Sequence, residues 1–110
     1  MKRKALLQHS KDAVFLLAQN IKLERKRRKM SETDLADRAG IARSTLQRIE
    51  KGDPSVEIGT VFNVAHIAGV QLFGTESEFT SLLSRTEDKL ALLPKRIRND
   101  QTDKDVYDDF

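Results

Sequence analysis

A chain of 110 residues, 38% hydrophobic and 34% charged, can fill one modest core. It cannot supply a membrane span, because no apolar run approaches the roughly 18–20 residues that such a helix needs. The absence of cysteine excludes a disulfide framework and a thiolate metal site, so a reducing cytoplasm is the expected location. The net charge of +3 conceals +8 over residues 1–29 and −4 over residues 53–93, which indicates a basic face directed at a polyanion.

The first predicted helix covers about residues 12–29, with Leu17 and Ile21 on its inner face. The preceding residues, 1–11, are interpreted as a basic N-terminal arm. The last turn of the helix contains the basic run Arg25–Lys29, whose positive charge suits a helix C-terminus. The same run can contact phosphate groups whatever the base sequence.

Two short helices are predicted next, with a tight turn between them. Ser31 and Asp34 have the spacing of a capping box, so the second helix should begin at Ser31. Gly40 marks its end, because glycine adopts the left-handed conformation at little cost. A third helix over about residues 43–51 places Leu46 on its inner face. Two short helices around such a turn are typical of a helix-turn-helix.

The remaining chain predicts a fourth helix, a fifth that begins at Thr75, a short separate helix over about residues 86–93, and a tail after Pro94. The fourth helix covers about residues 57–68, and its predicted inner face consists of Ile58, Val61, Phe62, Ala65 and Ala68. We therefore expect an all-α fold of about five helices with a C-terminal extension. The predicted domain covers residues 12–93, followed by a tail over residues 94–110.

The outward face of the third helix is polar, and its residue types suit the edges of DNA bases. Arginine can donate to both O6 and N7 of guanine, and glutamine can pair in a similar way with adenine. We expect this helix to lie in the major groove, although an ordinary solvated face is the alternative. The candidates for base reading are Arg43, Ser44, Gln47 and Arg48. The candidates for phosphate binding are Arg25, Lys26, Arg28, Ser31, Thr45 and Lys51.

The segments Gly40–Leu46 and Arg48–Gly52 resemble the phage-repressor-type (Cro/repressor, Xre) helix-turn-helix family, with a likeness over about residues 21–70. The resemblance implies a structural ion pair between Arg25 and Glu50 that fixes the first helix against the third. The sequence departs from the family at Glu32, where a phosphate-binding glutamine is common. Because a carboxylate repels phosphate, that side-chain contact is not carried over.

A second resemblance concerns residues 93–98 and 106–110, which look like the tail of HipB-type antitoxins. It implies a repressor of its own operon that also binds a HipA-like kinase toxin. A single helix-turn-helix reads few base pairs, so we expect a homodimer on a palindromic double-stranded operator. The candidates for dimer or partner contacts are Phe79, Leu82, Leu83, Leu90, Tyr107 and Phe110.

Two alternatives remain open. The chain could be a stand-alone repressor without a toxin partner, or a protein-binding scaffold that has lost DNA binding. An enzyme is not expected, because the sequence contains no nucleophile–base set or phosphate loop. His9 and His66 stand apart from other metal ligands in sequence, so we expect neither a metal nor a cofactor.

Overall fold

The computed structural model describes residues 5–96, which form five helices and no strand. The helices are α1 (Gln8–Arg27), α2 (Glu32–Ala39), α3 (Arg43–Glu50), α4 (Ile58–Ala68) and α5 (Glu76–Leu92). The predicted all-α fold is therefore confirmed. The chain divides after Thr75 into a four-helix unit, which contains α1–α4, and a second unit, which contains α5.

Helix α1 begins one turn earlier than predicted, at Gln8 instead of about Asp12. Asp12, expected at the helix N-terminus, lies inside the helix, where its Oδ1 accepts a hydrogen bond of 2.9 Å from Gln8 Nε2. Such bonds between residues four apart stabilise a helical turn without any hydrophobic periodicity. The helix ends where Lys29 takes a positive φ of 57° and the Met30 N–H donates to the Arg25 carbonyl.

The turn between α2 and α3 forms as the sequence predicts. Ser31 Oγ accepts from the Asp34 N–H at 3.0 Å, and the Ser31 N–H donates to the Asp34 carboxylate at 3.2 Å. This capping box provides acceptors for two backbone N–H groups at the start of α2, those of Ser31 and Asp34. Gly40 then adopts a left-handed φ of 68°, and the Ile41 N–H donates to the Ala36 carbonyl at 3.0 Å. These bonds reverse the chain so that α3 packs on α2.

The core of the four-helix unit draws one fully buried large side chain from each helix. These are Ile21, Leu35, Leu46 and Val64. Helices α1 and α2 each pack against both α3 and α4, so every helix of the unit contributes to a single core. Helices of eight residues are marginal alone in water, so α2 and α3 depend on this packing for their stability.

The inner face of α4 differs from the predicted one. Ile58 is 69% exposed, so its placement in the core is wrong, and Phe62 is only half-buried. Val64, which was not in the predicted face, is fully buried beside Ala65. The sequence of α4 is apolar on most of its circumference, so periodicity does not single out one side. The packing of α4 against α1 and α2 decides which of its sides is buried.

Helix α5 is continuous from Glu76 to Leu92, so the prediction of a separate short helix over residues 86–93 is wrong. The Thr86 hydroxyl donates to the Leu82 carbonyl at 2.7 Å, inside the helix, instead of capping a new one. None of the residues of α5 is buried. Among residues 5–96, no helix is long and apolar enough to cross a membrane. The predicted division at residues 11 and 93 stays a prediction.

Candidate nucleic-acid interface

The residues of α3 divide into a buried and an outward set. Leu46, Ile49 and Glu50 are buried against the rest of the unit. Six polar residues of α3 and its C-cap are exposed or half-buried: Arg43, Ser44, Thr45, Gln47, Arg48 and Lys51. All the side chains proposed for base reading therefore lie on the accessible side of one rigid helix.

A buried ion pair joins α1 to the last residue of α3. Arg25 Nε donates to Glu50 Oε2 at 2.7 Å and Arg25 Nη2 donates to Glu50 Oε1 at 2.9 Å. The third nitrogen, Nη1, donates to the Met30 carbonyl at 3.0 Å. Both side chains are 7% exposed. The hydrogen bonds to Glu50 raise the pKa of the Arg25 guanidinium, although burial acts in the opposite direction.

The basic run at the end of α1 is not uniformly available to DNA. Arg25 is buried with all its nitrogens occupied, so its predicted phosphate contact is wrong. Arg28 lies over Gly69 at the C-terminus of α4, where a Cβ would clash with its guanidinium. A cation is favourable at this end of a helix, but Arg28 is still exposed, so its phosphate contact stays a prediction. Lys26 and Lys29 remain exposed.

Arg48 belongs to a network with the loop that follows α3. Its Nε donates to Asp53 Oδ2 at 2.9 Å and its Nη2 donates to Ser55 Oγ at 2.8 Å. Ser55 donates to Asp53 Oδ1 through its N–H at 2.9 Å and its hydroxyl at 2.6 Å. The bonds from Ser55, followed by that from Arg48, hold the pKa of Asp53 well below its usual range. Sequence reasoning missed this network, because it joins residues five and seven apart across a helix end.

Another ion pair joins the first residues of α2 and α3. Arg43 Nε lies 3.7 Å from Glu32 Oε2, which is beyond hydrogen-bond distance. That oxygen is buried and accepts no hydrogen bond, while the Arg43 side chain is 61% exposed. Glu32 was noted in the sequence only as a departure from the family. Sequence reasoning missed the pair, because Glu32 and Arg43 lie on different helices and meet only when α2 packs against α3.

The predicted dimer or partner residues fall in two places. Phe79, Leu82, Leu83 and Leu90 lie on α5, and the last three are exposed leucines. Tyr107 and Phe110 lie outside the described residues.

The four-helix unit has the arrangement of a helix-turn-helix protein. Helices α2 and α3 pack together across a glycine turn, and α3 presents an outward polar face. Residues 21–73, just under half of the chain, match the family model described as helix-turn-helix. Comparison with curated proteins and with solved structures gave no match. The family match supports the phage-repressor-type family and, with it, a DNA-binding transcription regulator.

Proposed function

We propose that this protein is a sequence-specific transcriptional repressor that binds a palindromic operator as a homodimer. The observation that supports this most directly is the outward polar face of α3, held on a buried core by Leu46 and by the Arg25–Glu50 pair. A recognition helix must present its side chains with little freedom, because bidentate base contacts require defined geometry. The two anchors of α3 meet that requirement.

Base reading is assigned to Arg43, Ser44 and Gln47, which lie on the first turns of α3. The N-terminal residues of a recognition helix reach the base edges. Arg48 is assigned a positioning role instead, because Asp53 and Ser55 already bind its guanidinium.

Phosphate contacts are assigned to residues at the starts of α2 and α3 and at the ends of α1 and α3. Backbone N–H groups at the N-terminus of α2, next to Ser31, favour an anion. The side chains assigned to phosphate are Lys26, Arg28, Ser31, Thr45 and Lys51. Their contribution to affinity should fall with salt concentration, since it derives from the release of counterions.

Dimerisation is assigned to α5. Phe79, Leu83, Thr86 and Leu90 follow one another at alternating intervals of four and three residues, the spacing of a two-stranded coiled coil. Leu82, Leu83 and Leu90 are 40%, 48% and 64% exposed, an apolar set that a second copy of the helix would cover.

The base assignment is tested by binding of the full chain to DNA upstream of its own coding region and to random duplex at several salt concentrations. Arg43→Ala should weaken binding to the specific site by about 1–3 kcal/mol and relax preference for one base. Lys26→Ala should weaken both complexes alike and flatten the salt dependence. Equal losses on both duplexes for Arg43→Ala would show that this arginine does not read a base.

We further propose that the repressor is a HipB-like antitoxin, with its C-terminal tail as the contact for a HipA-like kinase. The support is the resemblance of residues 93–98 and 106–110 to such tails, because aromatic residues among charges can dock on a partner. Deletion of residues 95–110 should leave operator binding intact and abolish co-purification with such a kinase. A complex that survives the deletion would contradict the assignment, and a chain that binds operator but no kinase would be a stand-alone repressor.

A scaffold that binds protein and no longer binds DNA is the remaining alternative. It does not require the outward basic residues of α3. Absence of any DNA complex at low salt, with the chain folded, would favour it over the repressor.

A further inference from the structure

The carboxylate of Glu32 is in an unusual environment for a residue that begins a surface helix. Its Oε2 is buried and accepts no hydrogen bond, and the side chain as a whole is 31% exposed. A buried acceptor without a donor is destabilising, so native proteins seldom retain one without a reason. The cation paired with Glu32 is Arg43, whose Nε lies 3.7 Å away.

The second guanidinium in its vicinity is that of Arg25, which attracts Glu32 at longer range. It donates no hydrogen bond to Glu32 Oε2, and three of its N–H groups hold it on Glu50 and Met30 instead. Arg43 is free of such constraints on its outer side and is 61% exposed. Ion pairs between partly exposed groups add little to stability, so a purely structural purpose explains the Glu32–Arg43 pair poorly.

We infer that Glu32 is a positioning residue that sets the base specificity of Arg43, an inference that rests on the proposed major-groove role of α3. Glu32 engages Arg43 through Nε, so the two terminal amino groups form the pair that donates to O6 and N7 of guanine. A shortening of about 0.8 Å would convert the ion pair into a hydrogen bond and satisfy the buried oxygen.

The same carboxylate disfavours complexes in which Arg43 has not found guanine. Glu32 stands at the start of α2, where the phosphate backbone would approach. Its negative charge repels phosphate on every sequence, whereas only a guanine fixes Arg43 in the geometry that compensates that charge. Glu32 therefore weakens random binding more than specific binding, and the difference is a gain in discrimination.

The experiment uses the full chain and five forms: wild type, Glu32→Gln, Arg43→Ala, the double variant and Asp37→Asn. Asp37 is a matched control, because it is an exposed carboxylate on α2 outside the Glu32–Arg43 pair. Selection from a randomised duplex library identifies the position whose guanine preference Arg43→Ala removes. Fluorescence anisotropy then measures affinity for duplexes with guanine or another base at that position.

Wild type should prefer guanine by about 5- to 150-fold. Glu32→Gln should bind random DNA more tightly and lose at least about threefold of the guanine preference. In the Arg43→Ala background the same substitution should tighten both duplexes equally. Asp37→Asn should leave the preference unchanged.

The inference is overturned if Glu32→Gln shifts both duplexes by one common factor while Arg43 is present, or if Asp37→Asn reduces the preference equally. If Arg43→Ala leaves every base preference intact, the proposed base reading fails, and this inference fails with it. If Arg43→Ala removes the guanine preference but Glu32→Gln leaves it unchanged, the inference about Glu32 fails and the proposed base reading stands. Circular dichroism checks that each variant is folded, and Glu32→Ala, with the same expected loss of preference, replaces Glu32→Gln if that variant is not.

Discussion

The two units of this chain differ in what holds their helices. In the four-helix unit, each helix contributes a fully buried side chain to one core, and a buried ion pair joins α1 to α3. Helix α5 is longer than α2, α3 or α4 and buries none of its residues. Burial of apolar surface is the main favourable contribution to folding. The four-helix unit therefore contains its own source of stability, whereas α5 has no buried side chain, and we propose that a second copy covers its apolar side.

The largest expected effect concerns the buried ion pair. Glu50→Ala should lower the free energy of unfolding by about 3–5 kcal/mol, because the Arg25 guanidinium is left buried without its carboxylate. Urea denaturation measures the change. The matched variant on α5, Glu87→Ala, removes an exposed carboxylate and should change stability by less than about 0.5 kcal/mol. Equal losses of unfolding free energy for the two variants would show that the buried ion pair does not stabilise the four-helix unit.

Leucine truncations compare the units through packing. Leu46→Ala, at a fully buried position of α3, should cost about 2–5 kcal/mol of unfolding free energy. Leu90→Ala, at a position 64% exposed on α5, should cost less than about 0.5 kcal/mol at protein concentrations where the chain is monomeric. A large loss for Leu90→Ala in the monomer would mean that its own chain covers α5.

Charges on α5 sharpen the comparison further. Leu83→Asp combined with Leu90→Asp should convert a dimer to a monomer, because two like charges would face each other in the proposed seam. Sedimentation velocity measures the oligomeric state, and operator affinity should fall with it. The four-helix unit should keep its thermal transition. A dimer that persists in this variant would locate the interface elsewhere.

The smallest expected effect concerns the start of α2 and its response to acid. The hydrogen bonds from Ser31 lower the pKa of Asp34 in the folded protein. A lowered pKa means that Asp34 contributes stability above its unfolded pKa of about 3.9, and that this contribution is lost as the pH falls through the folded value. Wild type should therefore lose more stability than Asp34→Asn between about pH 5 and pH 2, as measured by thermal unfolding.

Asp37→Asn serves as the control for the acid experiment, because the Asp37 carboxylate takes no part in the capping box of α2. It should follow the wild-type pH profile. If Asp34→Asn and wild type lose stability in parallel, the capping box does not account for the acid sensitivity of this unit.

Local signals were sufficient for most of the fold. The Ser31–Asp34 capping box and the left-handed Gly40 are set by interactions within a few residues, and both are present as the sequence predicts. The predicted start of α1 and the predicted break in α5 were wrong, and both errors also concern local interactions. At Gln8 and at Thr86, a side-chain hydrogen bond to a residue four positions away continues the helix past the boundary that the sequence predicted.

The candidate site was predicted less completely, because charge in the sequence does not report which charges are already paired. Arg25 and Lys26 are neighbours in one basic run, yet one is buried with its guanidinium occupied and the other is exposed. Likewise, Arg48 is polar and outward like Gln47, but the loop after α3 binds it.

By itself the sequence determined an all-α chain with a capped α2, a glycine turn and a polar outward face on α3, since each depends on near neighbours. The tertiary structure alone decided that Val64 rather than Ile58 enters the core, that Arg25 is committed within the unit, and that Glu32 meets Arg43. The physical reason is that burial and ion pairing depend on which helix packs alongside, and that choice minimises the free energy of the whole core rather than of any one segment.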